Sequence, residues 1–298
     1  MAGTFRVSAR DKGDFVTGRL AWDVLRTTAV HRQDLPDAID LSDCEHLKPY
    51  SVACIAALGI AARRAGRNLP LVLPQNHACR DHLLRLGLTQ WFAAEGQLPV
   101  RDTNIPIEHL TGRPGAFSDR AMEVWAKQMG DLPVNMRRDF ATHLDELILN
   151  ALGHSYSPIG CVVAGQAFPE SGAVEFAVLD LGQTILGHLC QHPNHRDLVT
   201  DAQAIDRATQ EAVTGTPPGG VNALNDPNSG SGLTSLRRFC ELGNGCISIL
   251  SGSSCVSYGG GVAGHVLPIN TRFEGTLVRA LFECNNQLCS SDLADIIW

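Results

Sequence analysis

Ten consecutive residues, ACIAALGIAA at 53–62, are apolar or small and offer nothing to face water. A membrane-spanning helix needs roughly 20 such residues, so this run reads as a helix buried inside a folded core. Gly66 stops the pattern where a helix C-terminus favours glycine. Short strand-like runs flank the helix, at 38–41 (AIDL) before it and at 69–73 (LPLVL) after it. Residues 5–7 add an earlier strand, and 78–86 a second helix closed by Gly87. Strand, helix, strand, helix is the order of an α/β unit with helices over a sheet. That unit is expected to span residues 1–92.

Past residue 92 the composition shifts to Gly, Pro, Thr and Asn (GQLPVRDTNIPIEHLTGRPG), which marks residues 93–118 as a linker. A second domain is expected over 119–284, followed by a tail at 285–298. Its helices are expected at 119–129 and 135–154, split by Gly130 and Pro133. The runs at 161–168 and 174–179 read as a hairpin turned by PESG. A long polar region follows, with one helical piece at 201–213 and then TGTPPGGVNALNDPNSGSG, a loop length that is usually functional or disordered. A helix at 233–242 and strands at 246–250 and 275–282 complete the pattern.

The chain of 298 residues, 44% hydrophobic, is long enough for these two cores. Its formal charge of −7 and the lack of Lys/Arg runs argue against a nucleic-acid partner, while leaving room for a local phosphate site. The N-terminus lacks the basic-then-apolar order of a secretory signal, so a cytoplasmic protein is expected. Ten cysteines without a CxxC pair are then expected as free thiols.

Chemistry concentrates in four segments. In ELILNALGHS, Glu146 and Asn150 stand one helical turn apart on one face, with His143 and His154 extending the stripe. Asp180-Leu181-Gly182 closes an apolar run. Asn228-Ser229-Gly230-Ser231-Gly232 leads into the helix at Leu233, where glycines let backbone N–H groups approach phosphate oxygens. Phe273-Glu274-Gly275-Thr276 opens a final strand. Each alone has an ordinary reading, as a solvated stripe, a turn, a flexible cap or a strand start.

In this order and spacing the segments resemble the nucleotide-binding motifs of the GHKL superfamily of histidine-kinase-like ATPases. The resemblance implies an α/β sandwich with helices packed on one face of a mixed sheet, with ATP and Mg²⁺ as cofactors. It implies that Asn150 coordinates Mg²⁺ through the phosphates and that Glu146 acts on the attacking water or hydroxyl. Asp180 would accept from the adenine amine, Gly182 would let the base approach the backbone, and Thr276 would support the adenine site. Gly230, Gly232 and Leu233 would lie at the triphosphate, His154 at the end of the asparagine helix, and residues 183–229 would form a lid. The first glycine box departs from the family's Asp-x-Gly-x-Gly, since Thr184 stands at the second glycine. No Lys follows Gly232, so a P-loop is excluded, and Arg237 and Arg238 are weighed as phosphate partners against solvent-facing helix residues.

Residues 39–88 resemble a STAS domain, the fold of anti-sigma-factor antagonists. Pro49-Tyr50-Ser51 stands where those proteins carry a phosphorylatable hydroxyl, and Ser51 is read as a helix N-cap. The cluster His188, Cys190, His192 and His195 is weighed as a zinc site against an ordinary polar loop. Three functions stay open: a slow ATPase or nucleotide-driven switch, an anti-sigma-type Ser/Thr kinase, and a nucleotide-sensing scaffold without turnover. A protein partner is expected but not identifiable, and the resemblance makes a homodimer one expectation.

Overall fold

The computed structural model describes residues 4–6, 35–112, 116–129, 134–217, 220, 232–242, 245–259 and 262–283. The chain is mixed α/β. It carries a small parallel sheet and a larger antiparallel one. In the small sheet β1 (Thr4–Arg6), β2 (Ala38–Asp40) and β3 (Leu71–Val72) lie side by side in that order.

The apolar run forms α1 (Pro49–Arg64), which starts before the run itself. Pro49 takes the first helical position, where its fixed φ and missing N–H are tolerated. Arg63 and Arg64 fall in the last turn, where the helix dipole favours cations. Ser51 is therefore inside the first turn and Lys48 is the N-cap, which corrects the reading of Ser51 as a cap. The Ser51 side chain is buried and its Oγ has no hydrogen-bond partner. α2 (His77–Leu86) is capped by the Asn76 side chain and ends at Gly87, whose φ of 77° lies in the left-handed region that glycine tolerates. A short 3-10 helix, Leu88–Trp91, closes the unit.

The larger sheet contains β4 (Asn104–Leu110), β5 (Cys161–Phe168), β6 (Ala173–Asp180), β7 (Cys246–Gly259) and β8 (Val262–Glu283), in the order β4-β5-β6-β8-β7. All its described pairs are antiparallel, where a mixed sheet was expected. The tight β5–β6 and β7–β8 connections permit only that direction. β4 falls inside 93–118, the segment read as a linker. Pro106 obscures the strand in the sequence, because proline argues against a central strand yet is tolerated on an edge. β4 is such an edge, with a register shift between Ile105 and Glu108.

Both faces of this sheet are covered, where helices on one face were expected. β6 is buried along its whole length, and its alternating side chains divide between two cores. Val174, Phe176 and Val178 pack with Trp125 of α3 (Phe117–Met129) and Phe140 of α4 (Val134–His154). Ala177 and Leu179 join α1 residues such as Ile55 and Leu58 in the other core, which also holds Ile39 and Leu71 of the small sheet. α1 thus lies between the two sheets, which explains why it is apolar all round. Beneath it the Arg279 Nη2 donates to Glu175 Oε2 at 3.0 Å, with the guanidinium carbon 5.8 Å from the Tyr50 ring centre. Both charges are buried.

After β6 the chain forms α5 (Ile185–Leu189), a 3-10 turn at Pro193–His195 and α6 (Asp201–Ala208). Thr200 and Gln203 make a reciprocal capping box at the start of α6. Asp201 Oδ2 accepts from the Ser253 N–H at 2.9 Å, fastening α6 to β7. The first part of the expected lid is therefore packed helix. α7 (Gly232–Leu242) then lies against α4 and β7. No helix among the described residues is long and apolar enough to cross a membrane.

Candidate functional site

α4 is the longest helix of the described chain, and its polar stripe ends where the β6 strand also ends. Glu146 and Asn150 share one face, and both meet the first residue of α7. A Cβ placed on Gly232 would fall 2.8 Å from Asn150 Nδ2 and 3.2 Å from Glu146 Cβ. Glycine at this position lets α7 begin directly against the stripe.

The carboxyl end of α4 is tied to the turn after β6. Gln183 N–H donates to Ser155 O at 2.7 Å, and Gln183 Nε2 donates to His154 O at 2.6 Å. A Cβ on Gly182 would sit 2.0 Å from Ser155 O, closer than any side chain tolerates. Gly182 does not line the pocket beside it. The backbone it admits at close range is the protein's own, a different reason for glycine from the base contact expected there.

Between α4, β6, α5, α7 and β8 lies a cavity of about 100 Å³. Asn150, His154, Asp180, Gly232, Leu233 and Thr276 all line it. Glu146 stands one turn further along α4 beside Gly232, with Oε2 3.8 Å from His143 Nδ1. Gly230 lies outside the described residues. Four segments widely separated in sequence are thus brought to one place, and Glu146 is held at its margin.

Asp180 is the most buried polar residue lining the cavity. It ends β6 opposite Thr276 of β8, and its Oδ1 accepts from the Gly182 N–H at 3.0 Å. Burial pushes its carboxyl up to about 8, against the lowering effect of the backbone N–H groups of Gly182 and Thr276. Near neutral pH this carboxyl holds its proton, so it both donates and accepts. His154 and His188 face each other with ring centres 4.4 Å apart. Burial lowers both, His188 to about 3 with the His154 charge adding to the effect, so both rings are neutral near pH 7.

Sequence reasoning missed several wall residues. His188 was weighed only as a metal ligand, and it enters the cavity because α5 is helical and a Cβ on Gly215 would press within 2.5 Å of its ring. Thr184, standing where the second glycine of the box was sought, caps α5 by accepting from the Gly187 N–H at 3.1 Å. Cys190 Sγ points to the His195 and Leu198 carbonyls, and His192 packs on His195. Among the described residues no group of three or more His, Cys, Asp or Glu is arranged to hold a metal ion. Arg237 is engaged with Glu241, Thr209 and the Tyr258 ring, and Arg238 with Glu211, so neither is directed at the cavity. Cys54, Cys79, Cys161, Cys190 and Cys240 are free thiols.

Compared with protein-family models, with curated proteins and with solved structures, the chain matches none of them.

Proposed function

We propose that this cavity binds the adenine end of ATP with Mg²⁺, and that the protein is a slow ATPase or a nucleotide-driven switch of the GHKL type. The observation that carries the reading is the convergence of Asn150, His154, Asp180, Gly232, Leu233 and Thr276 on one cavity. The residues fit the ligand chemically. Asp180, buried on the cavity wall, would supply a polar partner for the base. Neutral His154 and His188 rings offer aromatic walls without a competing charge. Asn150 lies against Gly232 at the N-terminus of α7, and together they would hold the phosphates, since a helix N-terminus favours anions.

Mg²⁺ would neutralise phosphate charge. Asn150 supplies an amide oxygen suited to a hard cation that keeps most of its ligands from water and phosphate. Glu146, on the same face and one turn away, is the carboxylate that would orient a water or hydroxyl. Its position leaves three outcomes: free phosphate from hydrolysis, labelled protein from an anti-sigma-type kinase, or neither from a sensing scaffold. We further propose a cytoplasmic location and a protein partner reached through the N-terminal STAS-like unit, whose core is continuous with the sheet under Asp180.

Titration calorimetry with a non-hydrolysable ATP analogue tests this reading. Binding in the micromolar to millimolar range that needs Mg²⁺, and that Asn150→Ala and Asp180→Ala abolish, supports it. An intact protein that takes up no nucleotide refutes it. Incubation with γ-labelled ATP then separates hydrolysis from phosphotransfer, and Glu146→Gln is expected to stop either while sparing binding.

A further inference from the structure

Ser251 is a buried hydroxyl of β7, directly opposite Thr276 of β8. Three groups meet at its Oγ. The Ile185 N–H at the start of α5 donates to it at 3.0 Å, the Gly275 carbonyl oxygen lies at 3.0 Å, and Thr276 Oγ1 at 3.2 Å. A hydroxyl has one proton and two lone pairs. A carbonyl cannot donate, so the Ser251 proton goes to Gly275. The two lone pairs then accept from Ile185 and from the Thr276 hydroxyl. Thr276 has thereby committed its only proton, and Oγ1 offers the cavity nothing but lone pairs.

Asp180 is paired with Thr276 across the β6–β8 ladder. A neutral carboxyl at Asp180 can meet either edge of a purine, donating to a ring nitrogen or to a carbonyl as required, and so discriminates weakly by itself. A hydroxyl fixed as an acceptor does not have that freedom. It accepts from an amino N–H and meets a carbonyl oxygen lone pair to lone pair, leaving both unsatisfied.

We infer that Ser251 is a positioning residue: by holding the Thr276 hydroxyl as an acceptor, it makes the cavity select a purine with an amino group at C6 over one with a carbonyl there. This rests on the adenine-nucleotide reading of the cavity. Ser251 also anchors the first turn of α5, whose residues Ile185 and His188 form one wall. Its loss therefore has two separable effects. Loosening α5 weakens every nucleotide alike, whereas freeing the Thr276 proton changes the preference between two nucleotides.

The experiment is calorimetric titration of the full chain with ADP and with inosine diphosphate, both with Mg²⁺, in the wild type, Ser251→Ala, Thr276→Val and the double variant. The wild type is expected to prefer ADP. Ser251→Ala is expected to reduce the ADP to inosine diphosphate affinity ratio by about three- to tenfold. Thr276→Val is expected to reduce it similarly, and the double variant no further than either, since both act through one hydroxyl. If Ser251→Ala does not fold, Ser251→Cys, whose thiol is only a weak acceptor, takes its place with the same expected loss of the ratio. A ratio unchanged in Ser251→Ala, or equal affinities in the wild type, overturns the inference while leaving the pocket intact. Additive losses of the ratio in the double variant overturn it as well. Wild-type protein that binds neither nucleotide removes the adenine reading itself, and this inference with it.

Discussion

Asp180→Asn is expected to flatten the dependence of stability on pH. Asp180 is 3% exposed, and its carboxyl titrates near 8 in the folded chain against 3.8 for an ordinary one. The folded state therefore binds a proton that the unfolded state has released across this whole interval. The sign follows directly. Below about pH 4 both states are protonated and the group costs nothing. As pH rises toward 8 the folded state loses ground by up to ~1.4 kcal/mol per pH unit, and above 8 the loss levels off. Between pH 5 and pH 7 the loss is about 3 kcal/mol, a large share of the ~5–15 kcal/mol that holds a domain together. Asparagine keeps the shape and can still accept from the Gly182 N–H, but it has no proton to lose. Urea denaturation of wild type and Asp180→Asn at pH 5, 6, 7 and 8, without nucleotide, isolates the effect, because every other titrating group is common to both. The variant is expected to gain on the wild type by about 2–3 kcal/mol from pH 5 to pH 7. Parallel pH profiles, agreeing to within about 1 kcal/mol, would refute the argument that burial keeps this carboxyl protonated.

Three further outcomes follow from the packing. Gly182→Ala places a methyl group against Ser155 O and is expected to cost about 1–3 kcal/mol in urea denaturation, whether or not nucleotide is present; a neutral result would show that the turn relaxes freely. Arg279→Met leaves Glu175 buried without its partner and is expected to cost about 3–5 kcal/mol, while combining it with Glu175→Leu recovers most of that loss. Equal losses in the single and double variants would contradict a coupled pair. Removing residues 1–92 uncovers the sheet face formed by Val162, Ala164, Ala177 and Leu179, so the remaining fragment is expected to aggregate. A soluble, monodisperse fragment with native-like circular dichroism would show instead that the second half folds independently.

The elements with strong local signals were legible in the sequence. The β5–β6 hairpin falls within a residue or two of its expected bounds, because near-continuous apolar runs and the Pro-Glu-Ser-Gly turn act over a few neighbouring positions. α2 was marked by its pattern and the closing Gly87, and α4 by its periodicity. β4 was not legible, since Pro106 and Thr/Asn-rich flanks carry the local signature of a loop and the strand exists only because β5 offers it a partner. The small helix α5 was likewise hidden: five residues have little helical preference of their own and depend on the Thr184 cap and on the Ser251 contact from a strand 66 residues away.

The same division runs through the site. The sequence by itself determined the types and local spacing of the groups: a carboxylate and an amide one helical turn apart on α4, an acid at the end of a strand, a glycine at the start of α7. Those features are set by helical and strand periodicity, which operate over one or two turns of chain. Only the tertiary structure decided that Asp180 is buried enough to keep its proton, that His188 faces His154, that Gly182 serves a backbone contact, and that Ser251 dictates the polarity of Thr276. Each of these depends on desolvation or on a hydrogen bond between distant segments, and neither quantity exists until the sheet closes and α1 covers its far face.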